Sequence, residues 1–162
     1  MDGGVSLETR LAALEARSEI GDLVAKYARG ADRQNDPAIL GPLFADDATW
    51  SAEGFAALEG REAIAAGLAE IATSRVLWSI HYMVAPLVEF GPDGNSAGCT
   101  WYLLELCTLQ ENGLAADSWF GGWYDSQLIK TAGGWRFSQV VLDVRLQAEA
   151  FPAWKLKKLV TK

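Results

Sequence analysis

Four apolar runs decide the fold: LWSIHYMVAPLVEF (77–90), SAGCTWYLLELCTLQ (96–110), LAADSWFGGWYDSQLIK (114–130) and WRFSQVVLDVRLQAEA (135–150). Between them lie Gly91-Pro92-Asp93-Gly94-Asn95, Glu111-Asn112-Gly113 and Thr131-Ala132-Gly133-Gly134. These are turn signals, because Gly and Asn reach the left-handed backbone that tight hairpins need. Runs rich in β-branched and aromatic residues, punctuated in this way, predict a four-strand antiparallel meander. Each strand approaches about fifteen residues against a usual five or six, and strands that long must twist and bend. Pro86, Gly98, Gly121 and Gly122 offer places to do so.

The half before Val76 reads differently. From Leu7 to about Arg29 helix formers dominate, and Ile20, Leu23, Val24 and Tyr27 recur at helical spacing with Ala31 continuing the stripe. Leu7, Leu11 and Leu14 form a second stripe on roughly the opposite side. Either the first turns meet another surface, such as a neighbouring subunit, or the helix breaks near Ser18. Gly30 reads as the helix stop, and after the polar Asp32-Arg33-Gln34-Asn35-Asp36, Pro37 opens a short second helix through Phe44. Asp46-Asp47 turns into a short strand around Ala48–Ala52, and Gly60 precedes a third helix with a core face of Ile64, Leu68 and Ile71. Helices first and meander second predict an α+β domain: N-terminal helices packed on a strongly curved, mainly antiparallel sheet that encloses an apolar pocket, rather than a parallel βαβ array.

At 162 residues, half of them apolar and 22% charged, the chain has the length and composition of one globular domain. No linker-like stretch or internal repeat divides it. A net charge of -7 opposes a phosphate backbone, so nucleic acid is not expected as a partner. Lys155, Lys157, Lys158 and Lys162 crowd the last eight positions, a solvated basic tail rather than a membrane anchor. The first residues lack a signal-peptide pattern and no window is long and apolar enough to span a bilayer, so a cytoplasmic location is expected and no membrane partner. Cys99 and Cys107, eight residues apart on one expected strand, are out of disulfide reach. One histidine and two separated thiols do not make a zinc pattern, and phosphate-loop motifs are missing too.

The sole histidine, His81, shares one strand face with Ser79 and Met83. An imidazole there suits general-base work near neutral pH if a carboxylate orients its ring, although a lone strand histidine is more often a packing residue. Periodicity does not choose among Asp32, Asp36, Asp46, Asp47 and Asp143 as that carboxylate. Asp143 and Arg145 read as a local ion pair or a subunit contact. Lys130 reads as an ordinary strand-end cation. The seven tryptophans suit a flat cavity for rings, and equally core packing or subunit contacts.

The order of short motifs says more. Ile20-Gly21-Asp22-Leu23, Gly30-Ala31-Asp32-Arg33-Gln34, Phe44-Ala45-Asp46-Asp47-Ala48-Thr49-Trp50, Ile80-His81-Tyr82 and Gly134-Trp135-Arg136-Phe137-Ser138 together resemble the SnoaL-like family of the nuclear-transport-factor-2-like superfamily. The resemblance runs from about Leu7 to Trp154 and is strongest to the scytalone dehydratase and hexachlorocyclohexane dehydrochlorinase branch. It implies a single domain with a core of about 7–154, a cone-shaped barrel with a deep pocket, chemistry without cofactor or metal, and a homo-oligomer, dimer or trimer. It also implies a histidine base paired with an aspartate of the first helical region, which falls on His81 and selects Asp32. The branch's late-strand cation falls on Lys130, as lysine where the dehydrochlorinase has arginine, and its small polar residue before the histidine falls on Ser79. Lysine keeps the charge and lacks the bidentate fork.

The expected function is a cofactor-independent lyase acting on a small apolar cyclic or aromatic compound. His81, held by Asp32, would remove a proton from carbon while Lys130 or Ser79 assists the leaving group. Tyr27, Trp50, Trp119 and Trp123 would form an apolar wall that excludes water. An isomerase or cyclase using the same base is the alternative, and a pocket protein that binds without chemistry is a third reading.

Overall fold

The computed structural model describes residues 6–111 and 113–150. The basic tail, and Trp154 at the end of the resemblance, lie outside these residues. Helix α1 spans Leu7–Ala31 without a break. The Ser6 hydroxyl caps it by accepting from the Thr9 amide at 3.1 Å, and Glu8 in the first turn and Arg29 in the last complement the helix dipole. Ile20, Leu23, Val24, Tyr27 and Ala31 are buried as the spacing predicts. Leu7, Leu11 and Leu14 stay exposed. The two stripes therefore face different surroundings on one continuous helix.

Gly30 is not a stop. The helix runs through it, and a Cβ there would sit 2.5 Å from the Leu40 Cδ2 atom of α2 (Pro37–Leu40). Its role is close approach of two helices. Gly30→Ala is expected to destabilise the fold by about 1–3 kcal/mol through overpacking, read as a lower midpoint in denaturant. An unchanged midpoint would show that α2 shifts without strain.

Helix α2 is shorter than the sequence suggests. Asp36 caps it through the Ala38 amide, but Gly41–Leu43 tighten into a 3₁₀ turn before the first strand. That strand, β1 (Phe44–Ala52), starts four residues earlier than expected and pairs with a two-residue strand, β2 (Leu58–Glu59). Helix α3 (Arg61–Arg75) follows and buries Ile64, Ala65, Leu68 and Ala72. The meander is β3 (Val76–Phe90), β4 (Ser96–Glu111), β5 (Leu114–Thr131) and β6 (Gly134–Glu149).

The six strands form one sheet in the order β2-β1-β6-β5-β4-β3. All neighbours are antiparallel except β1 and β6, which run parallel because β1 enters the sheet beside its last strand. The sheet stays open, with β2 and β3 as its edges; α3 packs on both β1 and β3 across the gap. The cone is thus sheet plus helix rather than a closed barrel.

Two of the expected bends are bulges. The β3/β4 register slips between Val84 and Leu87, where Ala85 takes a φ of 55° just before Pro86. The β5/β6 register slips at Gly121/Gly122, where β6 carries Arg145 as its extra residue. A side chain at Gly122 would collide with the Asp143 carbonyl, so this bend requires glycine. Gly98 sits in unbroken register and bends nothing.

The concave face and α1 bury Trp101, Phe44, Phe137 and Tyr27, and the rings of Trp101 and Tyr124 stack with centroids 4.9 Å apart. Cys99 and Cys107 are buried free thiols on β4. Among the described residues no helix is long and apolar enough to cross a membrane.

Candidate active site

A cavity of about 310 Å³ lies where β3 and β5 begin and β4 and β6 end, roofed by α3 and the end of α1. Apolar walls come from Leu68, Ile71, Leu109, Phe120, Leu142 and Val144. The polar groups on this surface are His81 and Ser79 from β3, Glu105 from β4, Tyr124 from β5 and Tyr27 from α1, with Asn35, Glu53, Arg75 and Gln147 also on the wall. Polar groups set on an apolar wall are the usual composition of a small-molecule site.

Asp32 follows the last residue of α1, and the chain turns back immediately through Gln34 and Asn35, both left-handed with φ of 56° and 52°. The Asn35 side-chain amide donates to the Leu68 carbonyl at 2.8 Å and pins this turn to α3. Asp32 is thereby held against β3. Its Oδ1 accepts from the His81 backbone amide at 2.7 Å and lies 2.9 Å from the ring Nδ1. One carboxylate oxygen therefore fixes both the backbone and the ring of His81, and stabilises the tautomer with its proton on Nδ1. Nε2 then carries the lone pair.

On the Nε2 side, 3.6 Å away, stands Glu105 Oε2. Glu105 is the cross-strand partner of His81, and only 17% of its side chain is exposed. Burial pushes its carboxyl above the ordinary carboxylate value, opposed by the His81 charge and by a hydrogen bond with Cys107. The Cys107 thiol is pushed up to about 12, by burial first and then by Glu105. It remains a thiol.

The raised Glu105 value has a measurable consequence. The folded protein keeps this proton where the unfolded chain, near 4.5, has released it. The resulting stabilisation is complete below the unfolded value and is lost as pH rises through the folded one. Glu105→Gln stays neutral throughout. The melting temperature of this variant minus that of the wild type should therefore grow as pH rises above about 4.5 and then level off. A difference that shrinks with rising pH would contradict the buried carboxyl.

The Trp50 indole donates to the Tyr27 hydroxyl at 2.9 Å, and the Tyr27 and Tyr124 rings meet edge to face with centroids 5.6 Å apart. Burial raises both phenols, so they are neutral groups able to bond a ligand oxygen.

Of the residues singled out from sequence, the structure brings Asp32 into contact with His81 and places His81, Ser79, Tyr27 and Trp50 on the cavity. It corrects three. Lys130 is exposed near the end of β5, six residues or about 20 Å of strand beyond Tyr124. Trp119 and Trp123 alternate onto the outer face, while Phe120 and Tyr124 face inward. Asp125 and Gln127, which share the parity of the two tryptophans, were the signal for that phase. The cation on the cavity wall, among its described residues, is Arg75 at the end of α3. Asp143 and Arg145 do form a local ion pair at 2.6 Å, with the guanidinium 4.6 Å from the Trp123 ring centre. Glu105 was missed, although it is the lone carboxylate of the apolar run 101–109.

An open α+β cone with polar groups on the wall of an apolar cavity defines a class of small-molecule pocket domains. Residues 12–141 match the model of the SnoaL-like domain. The chain belongs to the SnoaL-like family. Solved structures agree on the fold. A type 2 hexachlorocyclohexane dehydrochlorinase (LinA) superposes with a TM-score of 0.83 at 23% identity, covering 92% of this chain and 98% of that one. LinA-type3 from Novosphingobium barchaimii gives 0.83 at 22%, covering 91% and 99%. A candidate scytalone dehydratase from Novosphingobium aromaticivorans gives 0.72 at 20%, covering 91% and 94%. Comparison with curated proteins gives no match.

Proposed function

We propose that the protein is a cofactor-independent lyase in which His81, oriented by Asp32, removes a proton from carbon of a small cyclic compound while a group leaves the neighbouring carbon. The observation that carries this reading is the 2.9 Å contact of Asp32 Oδ1 with Nδ1, which leaves Nε2 on the side of an apolar cavity. A carbonyl beside the carbon makes its proton easier for a neutral imidazole to take, and the neutral phenols of Tyr27 and Tyr124 suit such a carbonyl oxygen. Ser79 stands two residues from His81 on the same wall and suits a contact to the leaving group; Lys130, outside the cavity, does not. The cavity walls exclude water, which strengthens each of these interactions. The family's fold is shared with dehydrochlorinases, which supports elimination chemistry.

The test is a panel of cyclic ketones carrying a leaving group two carbons from the carbonyl, followed by ultraviolet absorbance of the conjugated product. Product formation supports the lyase. Incorporation of solvent deuterium with the leaving group retained would favour the isomerase or cyclase, and binding without either reaction would favour a ligand-binding role.

The outer sheet face exposes Tyr82, Val84, Tyr102, Trp123 and Leu146, a contiguous apolar surface of the kind that association covers. The reading includes a homo-oligomer through this face. Light scattering on the eluting protein is expected to give two or three chain masses, and one chain mass would remove this part of it.

A further inference from the structure

The group that faces the lone pair of the proposed base is a carboxyl. Glu105 Oε2 lies 3.6 Å from His81 Nε2, while Nδ1 is taken by Asp32. An ionised Glu105 opposite an unprotonated Nε2 would set two lone pairs face to face in a largely dry site, a repulsive arrangement. The groups around Glu105 do not relieve it: Asp32 adds negative charge, Tyr124 is neutral, and the Cys107 thiol is a weak donor. One proton between Nε2 and Oε2 does. It can sit on the ring, giving imidazolium and carboxylate, or on the carboxyl, giving neutral imidazole and carboxylic acid. Both forms contain the same number of protons, so the two groups hold that proton in common.

Resting on the lyase reading above, we infer that Glu105 is the catalytic acid of the site, carrying the proton that a departing hydroxide needs. The form with the proton on Glu105 is also the form in which Nε2 is unprotonated, able to act as base once the leaving oxygen of the substrate draws the Glu105 proton toward itself. Acid and base are therefore ready in the same state.

The step balances. Nε2 takes a proton from the carbon beside the carbonyl, and the C–H electron pair becomes the new C=C bond. The C–O bond breaks with its electrons on oxygen, Glu105 gives its proton to that oxygen, and water departs. The site is left as imidazolium and carboxylate. Transfer of one proton from Nε2 to Oε2 restores the starting form without exchange with solvent. A halide gains nothing from this arrangement, because it leaves as a stable anion, needs no proton, and would depart beside a carboxyl that becomes repulsive when ionised.

Two measurements test the inference. In the first, 3-hydroxycyclohexanone and 3-chlorocyclohexanone are compared in the wild type, Glu105→Gln and His81→Gln. Glu105→Gln should slow the hydroxy compound about 10²-fold or more and the chloro compound by less than about three-fold. Equal slowing of both would make Glu105 a positioning residue and overturn the acid role. His81→Gln should slow both, and if it slows neither, the lyase reading itself fails, separately from the role of Glu105. The second measurement needs no substrate. Infrared difference spectra of wild type against Glu105→Gln, with ¹⁵N spectra of the imidazole, should find one proton on the pair at neutral pH. An ionised Glu105 beside a neutral ring would overturn the inference.

Discussion

His81→Gln is expected to lower kcat by about 10³-fold on any substrate that loses a proton from carbon, within the usual contribution of a general base. Glutamine keeps a donor that can reach Asp32 and a similar length, so the fold should hold. Circular dichroism and melting therefore separate lost chemistry from lost structure. His81 is only 11% exposed, and its ring nitrogens meet Asp32 on one side and Glu105 on the other. The other nitrogen-bearing side chains among the described residues of the cavity, Asn35, Trp50, Arg75 and Gln147, are hydrogen-bond donors rather than bases at their nitrogens. Turnover within a few-fold of the wild type would remove His81 from the chemistry.

Asp32→Asn is expected to lower kcat by about 10²-fold or more, equivalent to about 2.7 kcal/mol of transition-state stabilisation, with little change in KM. Asp32 touches His81 but is not part of the cavity wall, so substrate binding should not register its loss. An asparagine can still accept from the backbone amide, but it carries no charge to stabilise the imidazolium that forms, and its amide can turn to hold the wrong tautomer. A parallel rise in KM would instead indicate that the turn at Gln34 and Asn35 had moved the wall.

The meander was legible because the three turn segments are unambiguous and the runs between them are long. The first helix was legible from the spacing of Ile20, Leu23, Val24 and Tyr27. What local patterns could not supply was tertiary pairing. The two residues of β2 are too few to show a period, and the parallel entry of β1 beside β6 depends on strands far apart in sequence. Gly30 looks like a helix stop in sequence because its partner, Leu40, lies across the intervening turn.

The site was legible unevenly for the same reason. Strand alternation placed Ser79 and His81 together, but it could not bring Asp32 across 49 positions; only the family pattern singled that residue out. The same pattern pointed to Lys130, which lies at the far end of β5 and outside the cavity wall. Trp119 and Trp123 drew attention by residue type, while the phase of β5 is set by Asp125 and Gln127. Glu105 hid within an apolar run, where only pairing with His81 gives a carboxylate a reason to be buried.

One imidazole in the whole chain makes the central claim directly measurable. The ¹⁵N and attached-proton spectrum of His81 reports which ring nitrogen carries hydrogen, in wild type and in Asp32→Asn. The account predicts a proton on Nδ1 from mildly acidic to mildly alkaline pH, hydrogen-bonded and shifted downfield, and loss of that preference in the variant. A neutral wild-type ring with its proton on Nε2 and a bare Nδ1 would contradict it, because the nitrogen facing the cavity would then have no lone pair with which to take a proton.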